Sequence, residues 1–68
     1  MKRTKLIQQR LTLGLSQQAL ASKAGVSTMT VYHVENGKMS YPKLIPKLAH
    51  GYDLTPQRFV EILFEEEK

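Results

Sequence analysis

The sequence predicts an all-α fold, a compact bundle of five short helices that contains a helix-turn-helix. Apolar residues recur at helical spacing, and no segment alternates apolar and polar residues as a strand would. Glycines and short polar residues divide the chain into helical segments at roughly 3–13, 17–24, 28–36, 44–50 and 56–66. We expect residues 1–68 to form one domain, with the helix-turn-helix core at 17–36.

The composition excludes several classes of protein. The chain has no cysteine, which excludes disulfides and thiolate zinc sites, and its two histidines lie far apart. No apolar run reaches the roughly 18 residues of a membrane span, and the start of the chain lacks a signal-peptide core. The sequence therefore predicts a cytoplasmic protein that is not an enzyme and has no cofactor, metal, membrane contact or small-molecule ligand.

Charge is distributed unevenly along the chain. Residues 1–50 carry eight basic side chains and one acidic side chain, whereas residues 51–68 carry two basic and five acidic ones. A strongly basic body is typical of proteins that bind a polyanion such as nucleic acid. An unevenly charged surface without a polyanion partner gives the same balance, so charge alone leaves both interpretations open.

Capping residues predict where the helices begin and end. Side-chain oxygens at N-cap positions accept hydrogen bonds from free N–H groups of the first turn, and such residues are Ser16, Ser27 and Thr55. Glycine is favoured just past a helix end because that position often adopts a left-handed conformation. The glycines that follow helical segments are Gly14, Gly25, Gly37 and Gly51.

Pro46 limits the start of the fourth helix. Proline is tolerated in the first turn of a helix but not deep inside it. We therefore expect this helix to begin near Leu44, with a loop at 38–42 before it.

The third helix has two different faces. At 100° per residue, five of its side chains fall within an arc of about 140°. This outward face comprises Thr28, Met29, Tyr32, His33 and Asn36. Val31 and Val34 lie on the opposite side and are expected to pack inward. With the glycine turn before it, this pattern predicts a helix-turn-helix, although an ordinary helical hairpin shares the spacing.

Four short motifs occur in one register along the chain: LSQQALA (15–21), AGVS (24–27), ENGK (35–38) and a Pro–Lys–Leu segment at 42–44. With them the chain resembles, over about residues 4–60, the lambdoid phage repressor and Cro family, also called the XRE-type helix-turn-helix family. The resemblance implies a five-helix domain of the lambda repressor type, which binds double-stranded operator DNA, mostly as a dimeric transcriptional regulator.

The resemblance also implies which side chains read bases. The third helix is expected to enter the major groove with Thr28, Met29 and His33 toward base edges. Met29 has no strong hydrogen-bonding group, so its expected partner is the thymine C5-methyl group, whereas His33 suits guanine or a phosphate. Well-known relatives often carry glutamines here, so we expect a different operator.

A second set of residues is expected to contact the DNA backbone, which fixes register without reading sequence. It comprises Ser16, Gln17, Tyr32, Asn36, Lys38 and Lys43. Gln17 opens the second helix, whose N-terminus favours anions, and Lys43 could also enter a narrowed minor groove. For each lysine, a purely solubilising role is the alternative.

Arg10 and Glu35 match an ion pair that the family forms between the first and third helices. Glu35 is the only acidic residue among the first fifty, which favours a structural reason for its presence. Two separate surface charges are the alternative.

The last helix carries more apolar side chains than one face of a small monomer is expected to bury. Because the family dimerises through its C-terminal part, we predict an isologous homodimer on a pseudo-palindromic site. The predicted interface residues are Thr55, Pro56, Phe59, Val60 and Leu63.

These observations predict a sequence-specific transcriptional regulator, most simply a repressor. An antitoxin and a restriction–modification controller of the same fold are alternatives. A protein-interaction module that has lost DNA binding is an alternative of another class.

Overall fold

Over residues 2–38 and 42–66 the chain forms five α-helices and a single 3₁₀ turn, at Pro42–Leu44. The helices are α1 (Thr4–Thr12), α2 (Gln17–Ala24), α3 (Thr28–Glu35), α4 (Ile45–Gly51) and α5 (Pro56–Glu66). The computed structural model describes residues 2–38 and 42–66, and within them there is no strand, which confirms the all-α prediction. Predicted and observed helix ends differ by at most one residue, a difference within the usual uncertainty of helix boundaries.

Two further sequence predictions concern the loop before α4 and the absence of a membrane span. The loop predicted at 38–42 falls largely on residues 39–41, which lie outside the described residues. No helix among the described residues is long and apolar enough to cross a membrane.

Side-chain caps begin three of the helices, as the sequence predicts. The hydroxyl oxygens of Ser16, Ser27 and Thr55 accept hydrogen bonds from the backbone N–H three residues further on, at 3.0–3.1 Å. Each cap satisfies one donor that the first turn of a helix leaves without a partner in the helix. These caps fix the starts of α2, α3 and α5.

Gly51 has a different role from the one predicted. It is the last residue of α4 and has no positive φ, and the left-handed conformation falls on Asp53 instead, with φ of 61°. A Cβ atom at position 51 would lie 2.7 Å from the Cβ of Ala24 and 3.3 Å from Leu20. Glycine is therefore required here because α4 approaches α2 too closely for a side chain, not because a helix ends.

One apolar core joins all five helices. α2 packs against α3 and α4, and α5 packs against α4 and α1. Val31 and Val34 are buried against this core, as the third-helix pattern predicts. Among the described residues, the buried apolar side chains are Leu6, Leu20, Ala21, Ala24, Val31, Val34, Leu48, Ala49, Tyr52, Phe59, Ile62 and Leu63.

Two residues predicted at a dimer interface belong to this core. The ring of Phe59 lies 5.8 Å from the ring of Tyr52 between centroids, and Leu63 is buried near it on α5. The prediction for Phe59 and Leu63 is wrong, because both side chains are buried in the core of their own chain, with only 1% and 8% of their surface exposed. Most of the apolar side chains of α5 thus stabilise the monomer.

A smaller apolar stripe remains on the outside of α5. Pro56, Val60 and Phe64 are spaced four residues apart and therefore share one face of the helix. Pro56 is exposed, Val60 is half-buried and Phe64 is 68% exposed. We call these three residues the α5 stripe.

Candidate nucleic-acid interface

Beneath α3 lies a buried carboxylate, Glu35, with only 1% of its surface exposed. The guanidinium of Arg10 donates two hydrogen bonds to it, from Nε to Oε2 at 2.8 Å and from Nη2 to Oε1 at 3.1 Å. The ion pair implied by the family resemblance is therefore present, in the bidentate geometry that is strongest for this pair of groups. Hydrogen bonding to Glu35 raises the pKa of Arg10.

Two further side chains donate hydrogen bonds to this carboxylate. Gln17 donates from Nε2 to Oε1 at 3.1 Å, and the hydroxyl of Tyr52 donates to Oε2 at 2.8 Å. Burial raises the pKa of Tyr52 far above its usual range, and the adjacent Glu35 charge raises it further. With four hydrogen bonds, the carboxylate has the partners that a buried charge requires. We call Arg10, Gln17, Glu35 and Tyr52 the Glu35 network.

The C-terminal end of α3 is held by Arg3, which is itself 98% buried. Its backbone N–H donates to the carbonyl of Glu35, and its Nη1 donates to the carbonyl of Val34, both at 2.7 Å. The last carbonyls of a helix lack partners within the helix, and a cation there also opposes the helix dipole. Arg3 therefore fixes the end of α3.

Sequence reasoning missed Arg3 and Tyr52. Arg3 precedes the first helix and had no feature that distinguished it from the other basic residues of the chain. Tyr52 gave no sign that its hydroxyl faces a carboxylate. One signal was available: a buried carboxylate has about four lone-pair sites and a bidentate arginine fills only two of them, so further donors were to be expected.

The outer face of α3 is open to solvent. Thr28, Met29 and Tyr32 are exposed, and the exposed fraction of Met29 is 62%. His33 is half-buried, and its ring packs edge-to-face against Tyr32 with centroids 5.8 Å apart. Of the three predicted base-reading residues, two therefore project freely and the third is partly covered.

A hollow of about 290 Å³ opens on this face where α2 and α3 begin. It is lined by Gln17, Thr28, Met29 and Tyr32, and we call it the α2–α3 hollow. Gln17 belongs to both the hollow and the Glu35 network, so one side chain links the buried carboxylate to the surface.

The predicted backbone-contacting residues differ in how free they are. Ser16, Lys38 and Lys43 are exposed. The amide nitrogen of Asn36 donates to the carbonyl of Tyr32 at 2.7 Å, so Asn36 helps to end α3. A primary amide has two N–H donors, and Asn36, like Gln17, therefore retains one that the bonds described here do not use. In the part of the chain that the structure describes, no three histidine or acidic side chains cluster in a way that could hold a metal ion.

Two short helices, one bracing the other and the second presenting an exposed face, define a helix-turn-helix protein. The model of the helix-turn-helix family matches residues 6–59, and the chain therefore belongs to the XRE-type helix-turn-helix family. It is a DNA-binding regulator, of a family that is regulatory rather than typically enzymatic. No solved structure gives a significant match to the chain.

Replacing Glu35 by alanine is expected to lower the free energy of unfolding by about 3–5 kcal/mol, because Arg10 is left partly buried without its counter-charge. The control is Glu61→Ala, which removes an exposed carboxylate that lies 3.3 Å from Arg58. Surface pairs of that kind contribute about 0–1 kcal/mol. Urea unfolding measures the free energy of unfolding of both variants. Equal losses would show that the buried ion pair contributes no more to stability than an exposed one.

Tyr52→Phe is expected to lower the free energy of unfolding by about 1–2 kcal/mol at pH 7, because Glu35 loses a hydrogen bond. The exposed Tyr32→Phe should change it by less than about 0.5 kcal/mol. Above about pH 10 tyrosine ionises in the unfolded chain, while folded Tyr52 keeps its proton. The wild type therefore loses stability there, and the Phe variant lacks this loss.

Urea unfolding across pH 7–11 tests the tyrosine prediction. The stability difference between wild type and Tyr52→Phe should narrow as pH rises past 10. A difference that stays constant over that range would contradict it.

Proposed function

We propose that the chain is a transcriptional repressor that binds a pseudo-palindromic operator in double-stranded DNA as a homodimer. The observation that carries the proposal is the contrast between the two faces of α3. The inner face is buried and held by the Glu35 network, whereas the outer face exposes Thr28, Met29 and Tyr32. A helix about 10–12 Å across fits a major groove about 12 Å wide.

In this proposal three side chains of α3 read base edges. The hydroxyl of Thr28 can donate or accept a hydrogen bond, and the thioether of Met29 makes apolar contacts. His33 donates from its imidazole to guanine N7 or O6, or to a phosphate if the groove curves away from it. The packing of His33 against Tyr32 limits the orientations of its ring, which favours a defined partner.

Backbone contacts in the proposal come from both sides of α3. Ser16 and Gln17 lie at the N-terminus of α2, where free N–H groups and the helix dipole favour a phosphate. Lys38 follows α3 and Lys43 lies in the 3₁₀ turn, and both are exposed. Tyr32 and Asn36 contribute their hydroxyl and remaining amide N–H at the edge of the groove.

The α5 stripe is the surface that we assign to the homodimer, together with Thr55 at the start of the helix. Phe64 is the most exposed of the large apolar side chains among the described residues, and burying it removes apolar surface from water. Each protomer measures 28 × 22 × 20 Å, so two copies joined at one end have the length needed for α3 helices about 34 Å apart.

Occupancy is sufficient for repression. A dimer seated in two successive major grooves excludes polymerase from the same stretch of DNA, and no additional activating surface is needed. Such a protein acts where the DNA is, which is why we infer a cytoplasmic location in a bacterial cell.

The salt dependence of binding tests the DNA interface. The logarithm of the association constant should fall linearly with the logarithm of salt concentration, with a slope of about −0.9 for each phosphate neutralised by lysine or arginine. Lys38→Ala and Lys43→Ala should each make the slope shallower by about 0.9 per lysine lost from the complex. Lys5→Ala is the control, because Lys5 pairs with Glu65 on α5.

Fluorescence anisotropy with a labelled duplex, between about 50 and 200 mM salt, supplies the slopes. An association constant that does not change with salt concentration would reject DNA binding by this face. Equal slopes for all three lysine variants would remove Lys38 and Lys43 from the interface.

Phe64→Ser should weaken self-association at least tenfold, because the apolar centre of the proposed contact is lost. Leu11→Ser is the matched control, since Leu11 is 61% exposed on α1 and lies outside the α5 stripe. Sedimentation equilibrium gives the dimer constants. Equal constants for the two variants, or a wild type that stays monomeric at high micromolar concentration, would contradict the assignment.

A further inference from the structure

We propose that the α2–α3 hollow is a subsite for the C5-methyl group of a pyrimidine, and that it accepts 5-methylcytosine as well as thymine. The inference rests on the proposed function, because it assumes that α3 lies in the major groove. It adds the acceptance of 5-methylcytosine at this site and, with it, a dependence of binding on cytosine methylation.

The walls of the hollow suit an apolar group. Met29 and the ring of Tyr32 are two of the four large apolar side chains that are exposed among the described residues, and both line this hollow. Exposed apolar surface of this kind, on the outer face of a DNA-reading helix, gains free energy if an apolar part of the DNA covers it.

The major groove offers few apolar groups. Among the four standard bases only thymine presents one, its C5-methyl group. Cytosine methylated at C5 carries the same group at the same position of the ring. A hollow of about 290 Å³ is several times the roughly 30 Å³ that a water molecule occupies, so it has room for the methyl-bearing edge of either base.

The polar lining of the hollow does not choose between the two bases. Next to the methyl group, thymine presents the O4 acceptor and cytosine presents the N4 donor. The Thr28 hydroxyl can donate to the first or accept from the second. The side chains that line the hollow therefore recognise the methyl group and tolerate either ring.

One lining residue of the hollow, Gln17, is held in place before DNA arrives, because the Glu35 network fixes it from inside. Gln17 is held by a hydrogen bond of 3.1 Å to Glu35, whose carboxylate is held in turn by Arg10 and Tyr52. A side chain that is already held in place loses little conformational entropy on binding. The burial of one methyl group then gives about a fourfold gain in affinity for each half-site.

The experiment uses an operator selected from a random duplex pool. Each thymine of one half-site is replaced in turn by uracil, by cytosine or by 5-methylcytosine, with the complementary base adjusted where needed. Anisotropy at one fixed salt concentration compares wild type, Met29→Ala and Leu11→Ala. The last is the matched control, since Leu11 and Met29 are 61% and 62% exposed and only Met29 lines the hollow.

At one position of the half-site, thymine should bind about four times more tightly than uracil, and 5-methylcytosine about four times more tightly than cytosine. Met29→Ala should bring both ratios close to one, whereas Leu11→Ala should leave both unchanged. Circular dichroism verifies that both variants remain folded.

Two results overturn the inference and leave the proposed function standing. In the first, binding stays sequence-specific and no thymine responds to uracil, so the hollow takes no methyl group. In the second, thymine and uracil differ but 5-methylcytosine and cytosine do not, so the hollow takes thymine alone. Uniform binding of all duplexes, or no binding, would instead reject the proposed operator recognition itself.

Discussion

The carboxylate of Glu35 is buried in a protein of only 68 residues, and three side chains donate four hydrogen bonds to it. Arg10 comes from α1, Gln17 from α2 and Tyr52 from the segment after α4, so the network ties α3 to three other parts of the fold. α3 has only eight residues, too few to be a stable helix by itself in water. Its helical form and its position both depend on what holds its inner face.

The inner and outer faces of α3 have different roles. Apolar side chains and Glu35 fix its inner face, and Arg3 fixes its last carbonyls, so its outer residues are free to vary without affecting the fold. Thr28 and Met29 contribute little to stability for that reason, and in the proposed function their identity follows the DNA that the chain binds. Gln17 is the exception, because it takes part in both the interior and the surface.

Much of the fold could be predicted from the sequence, because local chemistry determines it. Helix starts follow from hydroxyl caps, and the inward direction of Val31 and Val34 follows from helical periodicity. The ion pair of Arg10 with Glu35 was implied by family resemblance and by the isolation of one acid among many bases. Of the candidate site, the outward face of α3 could be predicted on the same grounds.

What could not be predicted depends on contacts between distant segments. Nothing near Gly51 in sequence reveals that Ala24 lies against it, so a packing glycine was interpreted as a helix-end glycine. The number of apolar residues on α5 predicted too large an exposed apolar surface. Whether the core has room for Phe59 and Leu63 is decided by the other helices. The hollow likewise depends on how closely the starts of α2 and α3 approach each other, which the turn motif alone does not determine.

The tight contact of Gly51 with Ala24 has a mechanical consequence. With no side chain between them, α4 and α2 leave little room to slide, and α2 carries α3 with it. In the proposed dimer, each half would meet the duplex as a stiff body, so the adjustment of shape would fall to the nucleic acid. Base pairs midway between the half-sites, which no side chain touches, would then influence affinity through how easily they twist and bend.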